Sequence, residues 1–336
     1  MKVIEIRDGF GLDRLAVAER PEPRPGPGQV LLRMGAASLN YRDLLTVKGL
    51  YNPKQPLPLV PCSDGAGQVV AVGENVSRVA VGDRVATLFA QGWLSGEPDR
   101  DKLRSTLGGP LDGTLAELMV LDQNGVVPVP DHLGDEEAAT LPCAAVTAWS
   151  ALTTPGPIEA GEVVVAQGTG GVSIFALQLA KLCGARVIVT SSSDAKLERA
   201  RDLGAWATIN YVERPDWGRE VRKLTGGRGA DLVVEVGGAG TLAQSLDAVR
   251  IGGRIALIGV LSGTAAKIDV IPLLMKQVRV QGLLVGDRAG FESMNRAIGQ
   301  HGMRPVIDRL FAFEETRAAL EHMGDGKHFG TICIRF

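Results

Sequence analysis

The sequence predicts an α/β protein in which a doubly wound parallel sheet is inserted into a smaller β-rich domain. Three observations carry that prediction. From Gly161 onward apolar strands alternate with helices, and residues 166–205 read as a strand exit, a glycine-rich turn, an apolar helix and a second strand. A final apolar stretch, residues 331–336, reads as a strand, which is explained if the C-terminus returns to the first domain.

Strands are predicted at residues 1–7 and 29–38, joined by an extended connection containing Pro21, Pro23, Pro25 and Pro27. After Pro61, residues 65–73 and the turn Val81-Gly82-Asp83-Arg84-Val85 suggest tightly turned, barrel-like strands. Residues 90–110 are polar and glycine-containing, with Trp93 as their only large anchor, and read as a surface or substrate-rim loop. The alanine-rich stretch 136–152 reads as helical. Sheet strands follow at 162–167, 186–190, 208–210, 231–236, 254–258 and 278–285, with helices between them. Beyond residue 286 come helices at 291–300 and around 314–322. The expected domains are therefore 1–144, 145–285 and a return over 286–336.

Composition narrows the function. With 36 basic and 38 acidic residues the formal net charge is −2, so nothing favours nucleic acid or a membrane surface as partner. The N-terminus starts directly on an alternating strand and no apolar run reaches spanning length, so a cytoplasmic protein is expected. Cys62, Cys143, Cys183 and Cys333 include no C-x-x-C pair, and the first 131 residues contain no histidine. Disulfides and a clustered zinc site are both disfavoured.

The turn Gly168-Thr169-Gly170-Gly171-Val172 is where the chemistry begins. Gly168 and Gly170 allow a tight turn and a close approach to a pyrophosphate, whose charge meets free N–H groups at the start of the next helix. The third glycine position holds Ser173. At the end of the second strand, dinucleotide sites that prefer NAD carry an acid for the ribose hydroxyls; here stands Thr190, followed by Ser191, Ser192 and Ser193. Those hydroxyls, with Lys196 one turn later, suit a 2′-phosphate and predict NADP(H) over NAD(H). They also suit a helix cap, with Asp194 favouring the helix start. Gly237 and Gly259-Val260-Leu261 follow successive strands and should line the cofactor track.

These residues resemble the medium-chain dehydrogenase/reductase superfamily, and within it the zinc-free, quinone oxidoreductase-like branch. The likeness covers nearly the whole chain. It rests on Leu39-Asn40-Tyr41-Arg42-Asp43 with Gly49-Leu50-Tyr51, on residues 58–73, on the turn at 81–85, on Leu141-Pro142-Cys143-Ala144-Ala145-Val146-Thr147-Ala148-Trp149, and on the glycine turn. The resemblance implies a GroES-like catalytic domain, an inserted Rossmann domain, a cofactor cleft and a homodimer joined through the last Rossmann strand. It also implies that Lys196, Tyr211 and Ser192 contact the adenosine phosphate and that Thr147 lies near the nicotinamide. Gly330 replaces an arginine that the alcohol dehydrogenases place near the pyrophosphate, for which Lys327, His328 or Arg288 would compensate.

Where those alcohol dehydrogenases bind catalytic zinc, this chain has Asn40, Ser63 and Cys143, with Asp64 adjacent. Amide and hydroxyl groups are poor zinc ligands, so no zinc is expected, and Cys143 reads as a small buried residue at the domain junction. Substrate oxygen must then be stabilised by hydrogen-bond donors, for which Asn40, Tyr41 and Tyr51 are candidates and Asp43 orients its neighbours. The leading expectation is an NADPH-dependent reductase of quinones or α,β-unsaturated carbonyls. An alcohol dehydrogenase or ketone reductase is the alternative, and a non-catalytic NADPH-binding protein the third.

Overall fold

The computed structural model describes residues 1–336. Strand β1 (Lys2–Ile6) pairs antiparallel with β2 (Leu15–Glu19). The long β3 (Gln29–Leu39) turns Val30, Leu32 and Met34 into a core, and helix α1 (Tyr41–Val47) follows it. Next come β4 (Asp64–Val72), β5 (Arg84–Thr87), the single turn α2 (Arg100–Leu103), β6 (Leu118–Asp122) and β7 (Val126–Pro128). Strand β3 is the hub, pairing with both β4 and β6.

One expectation for this region gains detail and another needs correction. The stretch read as helical is α3 (Asp135–Ala139), a π-turn (Leu141–Ala145) and α4 (Val146–Thr153). Pro142 has no N–H to give, and the Val146 N–H reaches back to Leu141 O. Trp93, by contrast, is not the only large anchor of residues 90–110. Leu107 is 1% exposed and packs with Val30, Leu32 and Val85, because its N–H bonds Phe89 O and draws the segment back to the sheet.

The second half of the chain begins with β8 (Val163–Gln167), α5 (Gly171–Leu182), β9 (Arg186–Ser191), α6 (Asp194–Asp202), β10 (Ala207–Asn210) and α7 (Trp217–Leu224). It continues with β11 (Ala230–Glu235), α8 (Leu242–Ala248), β12 (Val249–Leu257), α9 (Ile271–Met275) and β13 (Arg279–Gly282). The six strands form a parallel sheet in the order β10-β9-β8-β11-β12-β13. That is the order of the dinucleotide-binding Rossmann sheet, reversing direction between β8 and β11. Strands β8 and β11 are buried at every position, as near-continuous apolar runs covered on both faces should be.

The chain ends with α10 (Arg288–His301), β14 (Ile307–Ala312), α11 (Thr316–Gly324) and β15 (Thr331–Arg335). Strand β15 pairs antiparallel with β3, so the closing strand does return to the first sheet. Two compact units result, Met1–Val146 with Gly286–Phe336, and Thr147–Val285. Gly330 has its own structural reason: φ is +86°, and a Cβ would stand 2.3 Å from Val306 O. No helix is long and apolar enough to cross a membrane.

Candidate active site

In the first unit the β3–β4 register places Ser38 opposite Asp64, bringing the ends of both strands to one corner. Asn40 caps α1 there, and Asp43 Oδ2 accepts its N–H at 2.7 Å. Asp64 is 0% exposed; its Oδ1 accepts from Ser63 Oγ at 2.6 Å and its Oδ2 from the Cys143 N–H at 2.8 Å. The π-turn makes the second bond possible by presenting Cys143 to the strand. Burial pushes Asp64 up to about 7, opposed by the Ser63 bond, and the neighbouring Asp43 adds to the rise. Asp43 is pushed up to about 6 by burial, against the pull of Arg42 and of backbone N–H groups at Asn40 and Ser63. Asn40 Nδ2 is buried without a formal hydrogen bond, although the amide lies close enough to Asp64 to oppose its rise.

Arg42 is the residue that sequence reasoning passed over. Its side chain is 9% exposed and lies 3.8 Å from Asp43 Oδ1. Nη1 donates to Leu107 O at 2.8 Å and Nη2 to Gly109 O at 3.2 Å, while the guanidinium lies 5.0 Å from the Tyr51 ring centre and 4.8 Å from that of Phe89. It thereby ties α1 to Tyr51 and to the end of the 90–110 segment. The only available signal was its position inside the Asn40–Asp43 motif.

The phenols are less enclosed than the carboxyls. Tyr41 and Tyr51 are 45% and 44% exposed, and only Tyr51 is held, by Arg42. Cys143 is buried, as expected of a small packed residue.

The donor set at this corner does not fit zinc. Asn40 and Ser63 are neutral, both carboxylate oxygens of Asp64 already accept hydrogen bonds, and no three His, Cys, Asp or Glu residues are arranged so that they could hold a metal ion.

In the second unit Gly168 adopts φ +73°, and α5 starts at Gly171 behind Gly170, which provides no side-chain cap. The first-turn N–H groups therefore lack a side-chain acceptor, the condition an incoming phosphate satisfies. Ser173 Oγ donates to Gln167 O, tying helix to strand where the third glycine would stand. Thr169 is buried and Val172 half-buried.

At the far side Thr190 and Ser191 are buried and Ser192 is exposed. Thr190 Oγ1 accepts the Gly168 N–H at 3.4 Å, and Ser193 Oγ accepts the Lys196 N–H at 3.5 Å as the α6 cap. Asp194 is held by Asn210 Nδ2 at 2.9 Å. Tyr211, 41% exposed, is bonded through its N–H to Ser191 O, so it shares one edge with the serines.

Gly237 and Gly259 are glycine for packing reasons: a Cβ would meet Thr241 Oγ1 at 2.2 Å and Val236 O at 2.3 Å respectively. Val260 and Leu261 are 50% and 56% exposed, whereas Thr147 is 2% exposed in α4. Arg288, the suggested substitute for the missing arginine, is occupied by Asn124 and Glu292.

A reversing parallel sheet with an uncapped helix start behind a left-handed glycine defines a dinucleotide-binding α/β protein. Comparison with known proteins extends this. Residues 26–131 match the alcohol dehydrogenase GroES-like domain and residues 171–300 the zinc-binding dehydrogenase model. A zinc-type alcohol dehydrogenase-like protein of Schizosaccharomyces pombe is 42% identical, covering 97% of this chain and 96% of its own. An NAD-dependent alcohol dehydrogenase structure is 35% identical with TM-score 0.92, covering 100% of both chains. A quinone oxidoreductase of Pseudomonas syringae is 28% identical with TM-score 0.83, covering 100% and 99%. A crotonyl-CoA carboxylase/reductase solved with NADP is 25% identical with TM-score 0.88, covering 100% and 94%. The chain belongs to the medium-chain dehydrogenase/reductase superfamily of NAD(P)-dependent oxidoreductases.

Proposed function

We propose that this chain is a metal-free, NADPH-dependent reductase of quinones or α,β-unsaturated carbonyls, working as a cytoplasmic homodimer. The observation that carries the reading is the corner at Asn40, Ser63 and Cys143, where no zinc-ligand set remains and Asp64 is closed by hydrogen bonds from Ser63 and Cys143. Reduced nicotinamide supplies the hydride. The chain's own residues hold the phosphates at Gly168–Val172, and Ser191, Ser192, Lys196 and Tyr211 form the edge that favours the 2′-phosphate. Gly237, Gly259, Val260 and Leu261 line the track of the dinucleotide, and Thr147 packs beneath its nicotinamide end.

At the other site Asn40 and the phenols of Tyr41 and Tyr51 donate to the substrate oxygen, and a phenol proton neutralises the charge that develops there. A conjugated acceptor suits such a site because enolate or hydroquinone charge is delocalised. The crotonyl and quinone reductases among the similar structures support this substrate class. The NAD-dependent relative favours a second reading, an alcohol dehydrogenase acting on a secondary alcohol or ketone.

The dimer rests on β13. It is the edge of the parallel sheet, exposed at all four residues, beside Ile271, Leu274 and Met275 at 62–75% exposure. Such an edge and apolar patch pair readily with a second copy.

Oxidation of NADPH and NADH is to be measured against quinones, enones, aldehydes and ketones, with zinc analysis of the same sample. Turnover of quinones or enones with NADPH, without zinc, is expected. Stoichiometric zinc with activity lost on chelation overturns the metal-free reading. Equal affinity for NADH and NADPH overturns the cofactor preference.

A further inference from the structure

Glu235 ends β11 at 0% exposure, where a charge persists only if it is fully partnered. Five donors surround it. Oε1 accepts from the N–H groups of Gly237 at 2.8 Å and Gly238 at 2.9 Å, and from Thr241 Oγ1 at 2.6 Å. Oε2 accepts from Gln167 Nε2 at 2.7 Å and from the Ser245 hydroxyl. Gln167, the last residue of β8, turns its Oε1 to the N–H groups of Val236 and Gly237 at 3.2 and 3.3 Å. Its Nε2 also reaches Ser245 Oγ at 2.8 Å, so the serine hydrogen is directed to Glu235. The carboxylate is a pure acceptor in a ring of donors.

The location gives this network its meaning. Strands β8 and β11 are the neighbours between which the sheet order reverses, and open α/β sheets bind ligands in the crevice at that point. Gln167 leads directly into Gly168, and Glu235 is followed closely by Gly237 and Gly238.

We infer that Glu235 and Gln167 form a positioning pair that locks the two strand exits of the dinucleotide site together, so that a pyrophosphate meets N–H groups already arranged. The inference rests on the dinucleotide reading above. Glu235 touches no ligand; it acts through the backbone on either side of the crevice, removing the ordering cost that binding would otherwise carry. An amide at position 235 would face its NH₂ toward the glycine N–H groups or toward the Gln167 NH₂, setting donor against donor in a buried place.

The test is calorimetric titration of NADPH, NADH and adenosine 2′-monophosphate, a fragment with neither phosphate of the pyrophosphate. The variants are Glu235→Gln, Gln167→Glu, the double exchange, and Thr241→Val as a milder change. Each single exchange is expected to weaken the preferred dinucleotide about tenfold, with Thr241→Val weakening it less. Fragment affinity should not change. The double exchange should recover most of the loss, because the carboxylate moved to position 167 then accepts from the amide moved to position 235 and from the N–H groups of Val236 and Gly237. Undiminished dinucleotide affinity in the singles and Thr241→Val, an equal loss for the fragment, or no recovery in the double exchange overturns the inference. If the wild-type protein binds neither dinucleotide, the dinucleotide reading itself fails.

Discussion

Two sets of buried acids meet opposite fates in this molecule. In the second unit Asp231 is 0% exposed and accepts from Arg228, Arg250 and the Val163 N–H. Burial works to raise it, yet those donors bring it down to about 2. In the first unit Asp43 and Asp64 are as inaccessible to solvent but lie deeper among protein atoms and meet fewer charged donors, and burial carries them to about 6 and about 7. Depth sets the upward push, and the number and charge of the donors decide whether it is overcome. The Asp231 set is a finished structural joint, whereas the Asp43–Asp64 set is pushed up toward neutrality by burial.

The contrast can be broken most forcefully at Asp231. Asp231→Ala leaves two arginines and a buried N–H without their acceptor and should cost about 3 kcal/mol at pH 7, read from urea unfolding. The native acid is held below its usual value of 3.8, so its contribution is complete above about pH 4. The difference between wild type and variant should therefore shrink as pH falls toward 2; a constant difference would show that packing, not charge, was lost.

A middle-sized effect is expected at Arg42. Arg42→Met leaves Leu107 O unpaired and Gly109 O with the Thr106 hydroxyl alone, and should cost about 2 kcal/mol. It also removes the cation that restrains Asp43, which should climb further above about 6 in a carboxyl NMR titration. Arg42→Lys keeps the charge but not the planar fork, so it should spare the Asp43 titration better than the stability. An unmoved Asp43 in Arg42→Met would detach the arginine from the acid pair.

Asp64 gives the most diagnostic change, read from a pH profile rather than from a single loss. Its folded value lies above the unfolded one, so the native state holds the proton more tightly and stability falls as pH rises from about 4 to about 7. Asp64→Asn should flatten that part of the profile. An unchanged slope would mean that Asp64 is ionised throughout, like Asp231.

Features that depend on neighbours in sequence were legible beforehand. The Gly168–Val172 turn, the all-apolar strands around it and the absence of histidine before His132 can each be read from adjacent residues. Features made by distant partners were not. Arg42 looks like a surface charge until the carbonyls of Leu107 and Gly109 arrive, and Glu235 looks like a polar strand end until Gln167 stands beside it. Pro142 lies between these cases. It interrupts the helical pattern in plain view, but the bond made next to it, from the Cys143 N–H to Asp64, belongs to the tertiary structure.

The π-turn at Leu141–Ala145 also sets a constraint on chain length. Each residue advances a helical surface by about 100°, so one extra residue changes the angular phase of everything that continues the helix. Deleting a single residue there would smooth the helix and reset that phase, turning the Cys143 N–H away from Asp64. The corner is therefore sensitive to the number of residues before Val146 as well as to their identity, and a one-residue deletion should be less tolerable than most substitutions within the turn.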